Sequence, residues 1–306
     1  MGTSWQPSRT LPFLALAALS LPLSTARAQG ATANGWSAVE QILGQKGTPQ
    51  PGDVMRFGFP RSDLHVTVGG VALKPALALG GWVAFKRTGR EAIAMGDLVL
   101  TEDEVGPVMK RLQEGGVEQT ALHNHVLGET PRVMYLHIAA HGDATRIAET
   151  VHAALALTKT PTATPPAAAG AAIELDTGAI AKTLGFAGKV NGGVYQVSAP
   201  LAQRIMEDGM EVPPAMGVAT AINFQPTGGG KAAITGDFVL IASEVNPVIR
   251  ALTSHGIAVT AVHSHMLTET PRLFFMHFWA NDDAGKLATG LRAALDQTKV
   301  QKTVSR

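Results

Sequence analysis

Thr120-Ala-Leu-His-Asn-His-Val-Leu-Gly-Glu-Thr-Pro-Arg132 returns 140 residues later as Thr260-Ala-Val-His-Ser-His-Met-Leu-Thr-Glu-Thr-Pro-Arg272. Working outward, GDLVL at 96–100 matches GDFVL at 236–240, and EVGPV at 104–108 matches EVNPV at 244–248. Without a gap, 30 of the 69 positions in 91–159 are identical to those in 231–299. Agreement at that level marks an internal duplication. The upstream halves agree more weakly, with Val54 opposite Val194 and Pro60 opposite Pro200. The expected organisation is a first repeat domain at 35–158, a Pro/Ala/Thr linker at 159–173 and a second repeat domain at 174–300.

Periodicity predicts one layout for both copies. Trp36 to Leu43 reads as a short helix, and 53–59, 63–68, 81–87 and 92–100 read as strands. A helix follows, with Asp103 or Ser243 as the expected N-cap and Pro107 or Pro247 in the first turn. Val105, Val108 and Leu112 are its expected core residues. Strands at 118–125 and 132–139 precede a last helix starting near Asp143. Ala144, Ile147, Ala148 and Val151 form its apolar face, matched by Ala284, Leu287, Ala288 and Leu291. The stretch Phe274-Phe-Met-His-Phe-Trp279 is apolar at successive positions, so that strand should be covered on both faces. The predicted class is α+β: two tandem homologous domains, each a largely antiparallel sheet packed with helices.

Composition removes several functions. With 45% hydrophobic and 16% charged residues in 306, the chain is not a disordered polyelectrolyte. Lys plus Arg is 25 against 24 Asp plus Glu, which gives no basic field and no expected nucleic-acid partner. There is no Cys, so disulfides, thiolate metal sites, Cys nucleophiles and a lipid-modified Cys are excluded. Residues 1–28 read as a secretory signal peptide, with Arg9, an apolar stretch from Leu11 to Leu23 and Ala26-Arg-Ala28 as the cleavage signal. Cleavage near Ala28 removes Arg9 and Arg27 and leaves 23 Lys plus Arg against 24 acids. No transmembrane segment is expected in the mature chain, and the expected location is periplasmic or secreted.

The chemistry lies in the duplicated stretch. His123, His125, Glu129 and His137 in one copy, and His263, His265, Glu269 and His277 in the other, are the candidate metal ligands. Alternate residues of a strand share a face, so each His-x-His presents two imidazoles together. Glu129 lies in the following turn, and a hairpin that pairs like faces brings His137 near His123. Imidazole and carboxylate donors suit a divalent Zn, Mn, Fe or Cu ion. His-x-His-x-x-x-Glu also resembles the first metal motif of cupins, as shared coordination logic only. Asp97, Arg132, Asp237 and Arg272 are candidates for supporting hydrogen bonds or anion binding. The same residues admit a structural reading, in which Glu129 and Arg132 lock the turn and the His residues bond neighbours. A one-residue slip would place His137 on the opposite face.

The GD(L/F)VL, TALHNHVLGETPRVMYLH and TAVHSHMLTETPRLFFMHFW strings resemble the LppY/LpqO-like family of bacterial exported proteins over nearly all of the mature chain. The named relatives are described as probable lipoproteins. This chain has no Cys to lipidate, so the resemblance implies a soluble exported form. The family is of unknown function and implies no activity, small-molecule ligand or substrate. Two readings follow: divalent-metal binding by the duplicated hairpins, or a non-catalytic cell-envelope module in which the hairpins form the domain interface. Hydrolysis in a cleft between the copies is a third.

Overall fold

The structure is a computed structural model that describes residues 1–3, 35–161 and 173–301. The expected signal peptide, apart from its first three residues, and most of the expected linker lie outside the described residues. The described residues from Trp36 onward form one compact unit.

The first copy runs α1 (Ser37–Leu43), β1 (Thr48–Gln50), β2 (Val54–Pro60), β3 (Thr67–Val68), β4 (Val71–Ala72), α2 (Pro75–Ala78), β5 (Gly80–Thr88), β6 (Glu91–Thr101), α3 (Glu102–Glu114), β7 (Glu118–His123), β8 (Glu129–Thr130), β9 (Val133–Gly142) and α4 (Ala144–Leu155). The second runs α5 (Thr177–Leu184), β10 (Gly188–Asn191), β11 (Val194–Pro200), β12 (Ile205–Glu207), β13 (Met210–Val212), a 3-10 turn at Pro214–Met216, β14 (Ala219–Gly228), β15 (Lys231–Ile241), α6 (Ala242–Ser254), β16 (Ala258–His263), β17 (Leu273–Asp283) and α7 (Ala284–Leu295). Each copy builds a six-stranded sheet, ordered β1-β2-β5-β6-β9-β7 and β10-β11-β14-β15-β17-β16. All neighbours are antiparallel. The class is α+β, with two tandem copies of one topology.

Alternation explains the layers. Phe57, Val83, Phe85, Leu98, Leu100, Leu136 and Ile138 point to one face of the first sheet and pack against Val108 and Leu112 of α3 and Ile147, Ala148 and Val151 of α4. The second copy repeats this with Leu287, Ala288 and Leu291 of α7. The opposite faces pack on each other. Val54, Ala84 and Met95 share a core with Met216, Val239 and Phe275. Val99, Val133 and Tyr135 share another with Val194 and Ala233. The layers are therefore helix, sheet, sheet, helix. The apolar run 274–279 lies in β17, with Phe278 toward the helices and Phe275 toward the other sheet.

The contacts between copies repeat with the residues exchanged, as a pseudo-two-fold requires. Thr120 Oγ1 donates to the His265 carbonyl at 2.6 Å, and Thr260 Oγ1 donates to the His125 carbonyl at 2.5 Å. β7 and β16 meet across this axis.

Three local expectations need correction. The strand expected at 63–68 is only Thr67–Val68. The helix after β6 begins two residues earlier than expected, because Glu104 and Glu244 reach back to the Thr101 and Ile241 N–H groups. Neither Asp103 nor Ser243 is therefore the cap, and Pro107 and Pro247 fall inside the helix rather than in its first turn.

The GD(L/F)VL motif has a packing reason. A Cβ on Gly236 would lie 2.0 Å from the Ala221 carbonyl oxygen, and one on Gly96 would lie 2.7 Å from the Trp82 carbonyl oxygen. Gly236→Ala is therefore predicted to destabilise the fold by about 1–3 kcal/mol through forced backbone separation. Urea unfolding measures this, and an unchanged midpoint would contradict the packing argument.

Candidate metal centre

Register places the ligands. In the first sheet Asp97 pairs with His137, His137 with Ala121, and Tyr135 with His123. Directly opposed residues share a face. Asp97, His123, Tyr135 and His137 thus point together toward the second sheet. In that sheet Asp237 pairs with His277, and His263 with Phe275, in the equivalent register. His125 and His265 follow just beyond the strands, where their rings stack on Tyr135 at 3.3 Å and on Phe275 at 3.4 Å between centroids.

The two triplets of imidazoles form one cluster. His123 stacks on His263 at 3.7 Å across the axis. His125 lies 3.9 Å from His277, and His137 lies 3.7 Å from His265. The His123 and His277 Nε2 atoms are 3.1 Å apart. Among the described residues three groups form, the donor atoms within each lying within 4.8 Å of one another: His123, His125 and His277; His123, His137 and His263; Asp237, His263 and His265. The first two groups each draw on both copies.

Supporting contacts orient the rings. His277 Nδ1 is 2.7 Å from the Gly236 carbonyl, which directs Nε2 into the cluster. Asp97 Oδ2 is 3.4 Å from His125 Nε2, and Asp237 Oδ2 is 3.1 Å from His265 Nε2. The close approach that requires glycine at 236 thus also sets the carbonyl that holds a ring.

The expected glutamates are placed elsewhere. Glu269 Oε1 accepts from the Leu273 N–H at 2.8 Å, and Oε2 accepts from Arg272 Nη1 at 3.2 Å. Its oxygens are spent on the turn. Glu129 sits in β8, paired with Val68 of β3. Arg132 lies 3.7 Å from the exposed Glu102 rather than on Glu129. Neither glutamate belongs to the three donor groups; Asp237 is the carboxylate that does. Both Thr–Pro bonds of the hairpins are cis.

Burial controls protonation. His137 is pushed down to about 3, by burial and then by the neighbouring His265. His265 is pushed down to about 3, by burial first, against the charge of Asp97. His123, His125 and His263 are also held well below the ordinary value by burial and neighbouring imidazoles. These rings are neutral at pH 7, the form in which imidazole binds metal. Burial pushes Asp237 up to about 6. Among the described residues many of these buried atoms have no hydrogen-bond partner: His123 Nδ1, His125 Nε2, His137 Nε2, both nitrogens of His263, His265 Nε2, and Asp97 and Asp237 Oδ1. Each buried polar atom left so costs about 1–3 kcal/mol. The Asp97–His125 and Asp237–His265 approaches are charge contacts without hydrogen-bond geometry. A cavity of about 770 Å³ opens on the cluster, lined by Asp97, His125, His137, Asp237, His265 and His277.

Arg56 and Trp82 also line this cavity and were not singled out by sequence. They lie in the upstream half, where the copies agree least. The segment Pro213–Ala219 lies beside the cluster: Ala215 O accepts from Arg56 Nη1, and Gly217 packs over Trp82.

A family model described as Domain of Unknown Function (DUF1259) matches residues 37–157 and again 178–297. No curated protein is similar in sequence. Two solved structures resemble the chain weakly. One is a trimeric bacterial microcompartment shell protein, PduB, at 12% identity, covering 82% of this chain and 93% of that one, with a TM-score of 0.21. The other is EtuB from Clostridium kluyveri, at 10% identity, covering 82% and 91%, with a TM-score of 0.20. At those scores the likeness carries no argument.

The protonation state gives a signed prediction for the metal-free protein. His137 and His265 have folded values near 3 against an ordinary 6.5, so the unfolded chain takes up protons first. Stability then falls as pH drops from 6.5 toward 3, by about 1.4 kcal/mol per pH unit for each such ring. Asp237 works oppositely: its contribution is present below its ordinary 3.8 and lost as pH rises through 6. The imidazoles outnumber it. Urea midpoints of chelator-treated protein should be lower at pH 5 than at pH 7; an equal or higher midpoint would contradict the buried neutral cluster.

Proposed function

We propose, for a chain that belongs to the family Domain of Unknown Function (DUF1259) and carries its domain twice, divalent transition-metal binding at a single centre between the copies. The observation that supports it most is the convergence of six imidazoles and Asp237, drawn from both copies, with many of their donor atoms unpartnered among the described residues. An ion would turn several of those unmet polar atoms into bonds. The donor chemistry fits: two imidazole nitrogens bound to one tetrahedral zinc ion stand about 3.3 Å apart, close to the 3.1 Å between His123 and His277. Nitrogen-rich ligands favour Zn, Fe or Cu, and disfavour Ca, Mg and, of the four expected ions, Mn, which prefer oxygen.

The second reading, a non-catalytic envelope module with the hairpins as interface, draws support from the Thr120 and Thr260 bridges. The same interface serves both readings, and only metal content separates them. The 1–28 stretch, read as a leader, and the LppY/LpqO-like resemblance support export, so we propose the periplasm or the cell exterior as the location of the mature protein. Among the described residues no helix is long and apolar enough to cross a membrane. The cavity would give a small molecule access to a bound ion.

Metal analysis after chelation and reloading tests the proposal. Retained metal and a raised melting temperature are expected, because an ion that binds only the folded state stabilises it. Less than about 0.2 ion per chain, with unchanged melting, would remove the metal reading. Variants locate the ligands: His263→Ala and Asp237→Asn should weaken metal binding at least about tenfold. Glu269→Gln should retain the metal and lose stability through its turn. Metal loss in Glu269→Gln alone would return the site to the hairpin of one copy.

A further inference from the structure

The cavity beside the cluster is asymmetric where the cluster is symmetric. On the first sheet Arg56 reaches across to the second copy, and its Nη1 donates to the Ala215 carbonyl at 3.1 Å. The equivalent position on the second sheet is Gln196, whose Nε2 donates to the Ala76 carbonyl at 2.9 Å. The two contacts are the same brace with the copies exchanged, and a neutral amide suffices for it. Arg56 brings to the same place a positive charge and further N–H donors that the brace does not use.

That charge is built in. The guanidinium lies 3.8 Å over the Trp82 ring, which fixes its plane. Trp82 pairs with Asp97, and Asp97 with His137, so Arg56 stands at the far end of the row of side chains that leads to the cluster. Among the described residues Arg56 makes no ion pair, and Asp97 acts on it only through space. Lys189 lines the same cavity. The volume of about 770 Å³ lies in the range of small-molecule sites.

We propose that the Arg56 arm of the cavity is an anion subsite, taking the carboxylate or phosphate group of a small molecule whose other end reaches the metal centre. The part about reaching the centre rests on the metal reading above. A planar guanidinium with free N–H groups is suited to either anion. A bound divalent ion offsets the charge of Asp97 and Asp237, which otherwise repels an anion from the cavity. Anion affinity should therefore rise on metal loading.

The test is calorimetric titration of the full chain, metal-free and zinc-loaded, with succinate and separately with inorganic phosphate. Zinc content is measured in every sample. Saturable binding of at least one anion is expected, stronger in the zinc-loaded chain, and the anion that binds identifies carboxylate or phosphate as the preferred group. Arg56→Gln should weaken it about tenfold or more while zinc content stays constant. Gln196 shows that the fold accepts an amide at the equivalent place, and Arg56→Lys, which keeps the charge without the planar fork, should fall between. No saturable binding of either anion to the wild-type chain, or equal affinity in Arg56→Gln, overturns the subsite. Loss of zinc from the wild-type chain overturns the metal reading by its own readout; Arg56-dependent anion binding in that sample upholds the subsite without it.

Discussion

The face-to-face docking of the two repeat sheets is the constraint on which the rest depends. Each sheet has one face covered by its own helices and one face that is apolar at Val54, Ala84 and Met95 or at Val239 and Phe275. Burying those second faces against each other closes the molecule. It also forces every inward residue of the hairpins into the same space. The histidines of the two copies therefore form one cluster, threaded by the Thr120 and Thr260 bridges.

This arrangement is expensive in the absence of a ligand. Apolar residues at the same positions would pack without orphaned donors, as Phe275 does where the first copy has Tyr135. Instead the cluster holds buried neutral imidazoles against two carboxylates. Polar networks of this kind are stable when every member is satisfied and costly when they are not. A coordinated cation would satisfy several of these members at once. The surroundings have diverged while the cluster has not: Arg56 faces Gln196 across the axis, and Tyr135 faces Phe275. Duplication thus provided a symmetric centre with two unlike approaches.

Much of the fold was legible in the sequence. The offset of 140 residues, the alternation in 92–100 and 132–139, and the helical faces at Ile147 and Leu287 all correspond to elements of the structure. The shared face of His123 and His137 followed from strand alternation once the hairpin register was the expected one. The sequence offers the hairpins as an interface between copies but not its geometry, because contacts 140 residues apart leave no periodic trace. The metal reading from sequence therefore treats each hairpin as its own site. Glu129 and Glu269 looked like ligands by spacing alone, and spacing does not reveal that the Leu273 N–H and Arg272 already occupy Glu269. Arg56 carried no signal at all, since its meaning lies in an orientation over Trp82 and a carbonyl from the other copy.

Anomalous diffraction from crystals of the metal-loaded chain tests the central claim most directly. The account predicts a peak between the two sheets, within bonding distance of imidazole nitrogens from both repeats. A peak bound by the residues of one repeat only, with Glu129 or Glu269 among its ligands, or no peak at the histidine cluster, would contradict it.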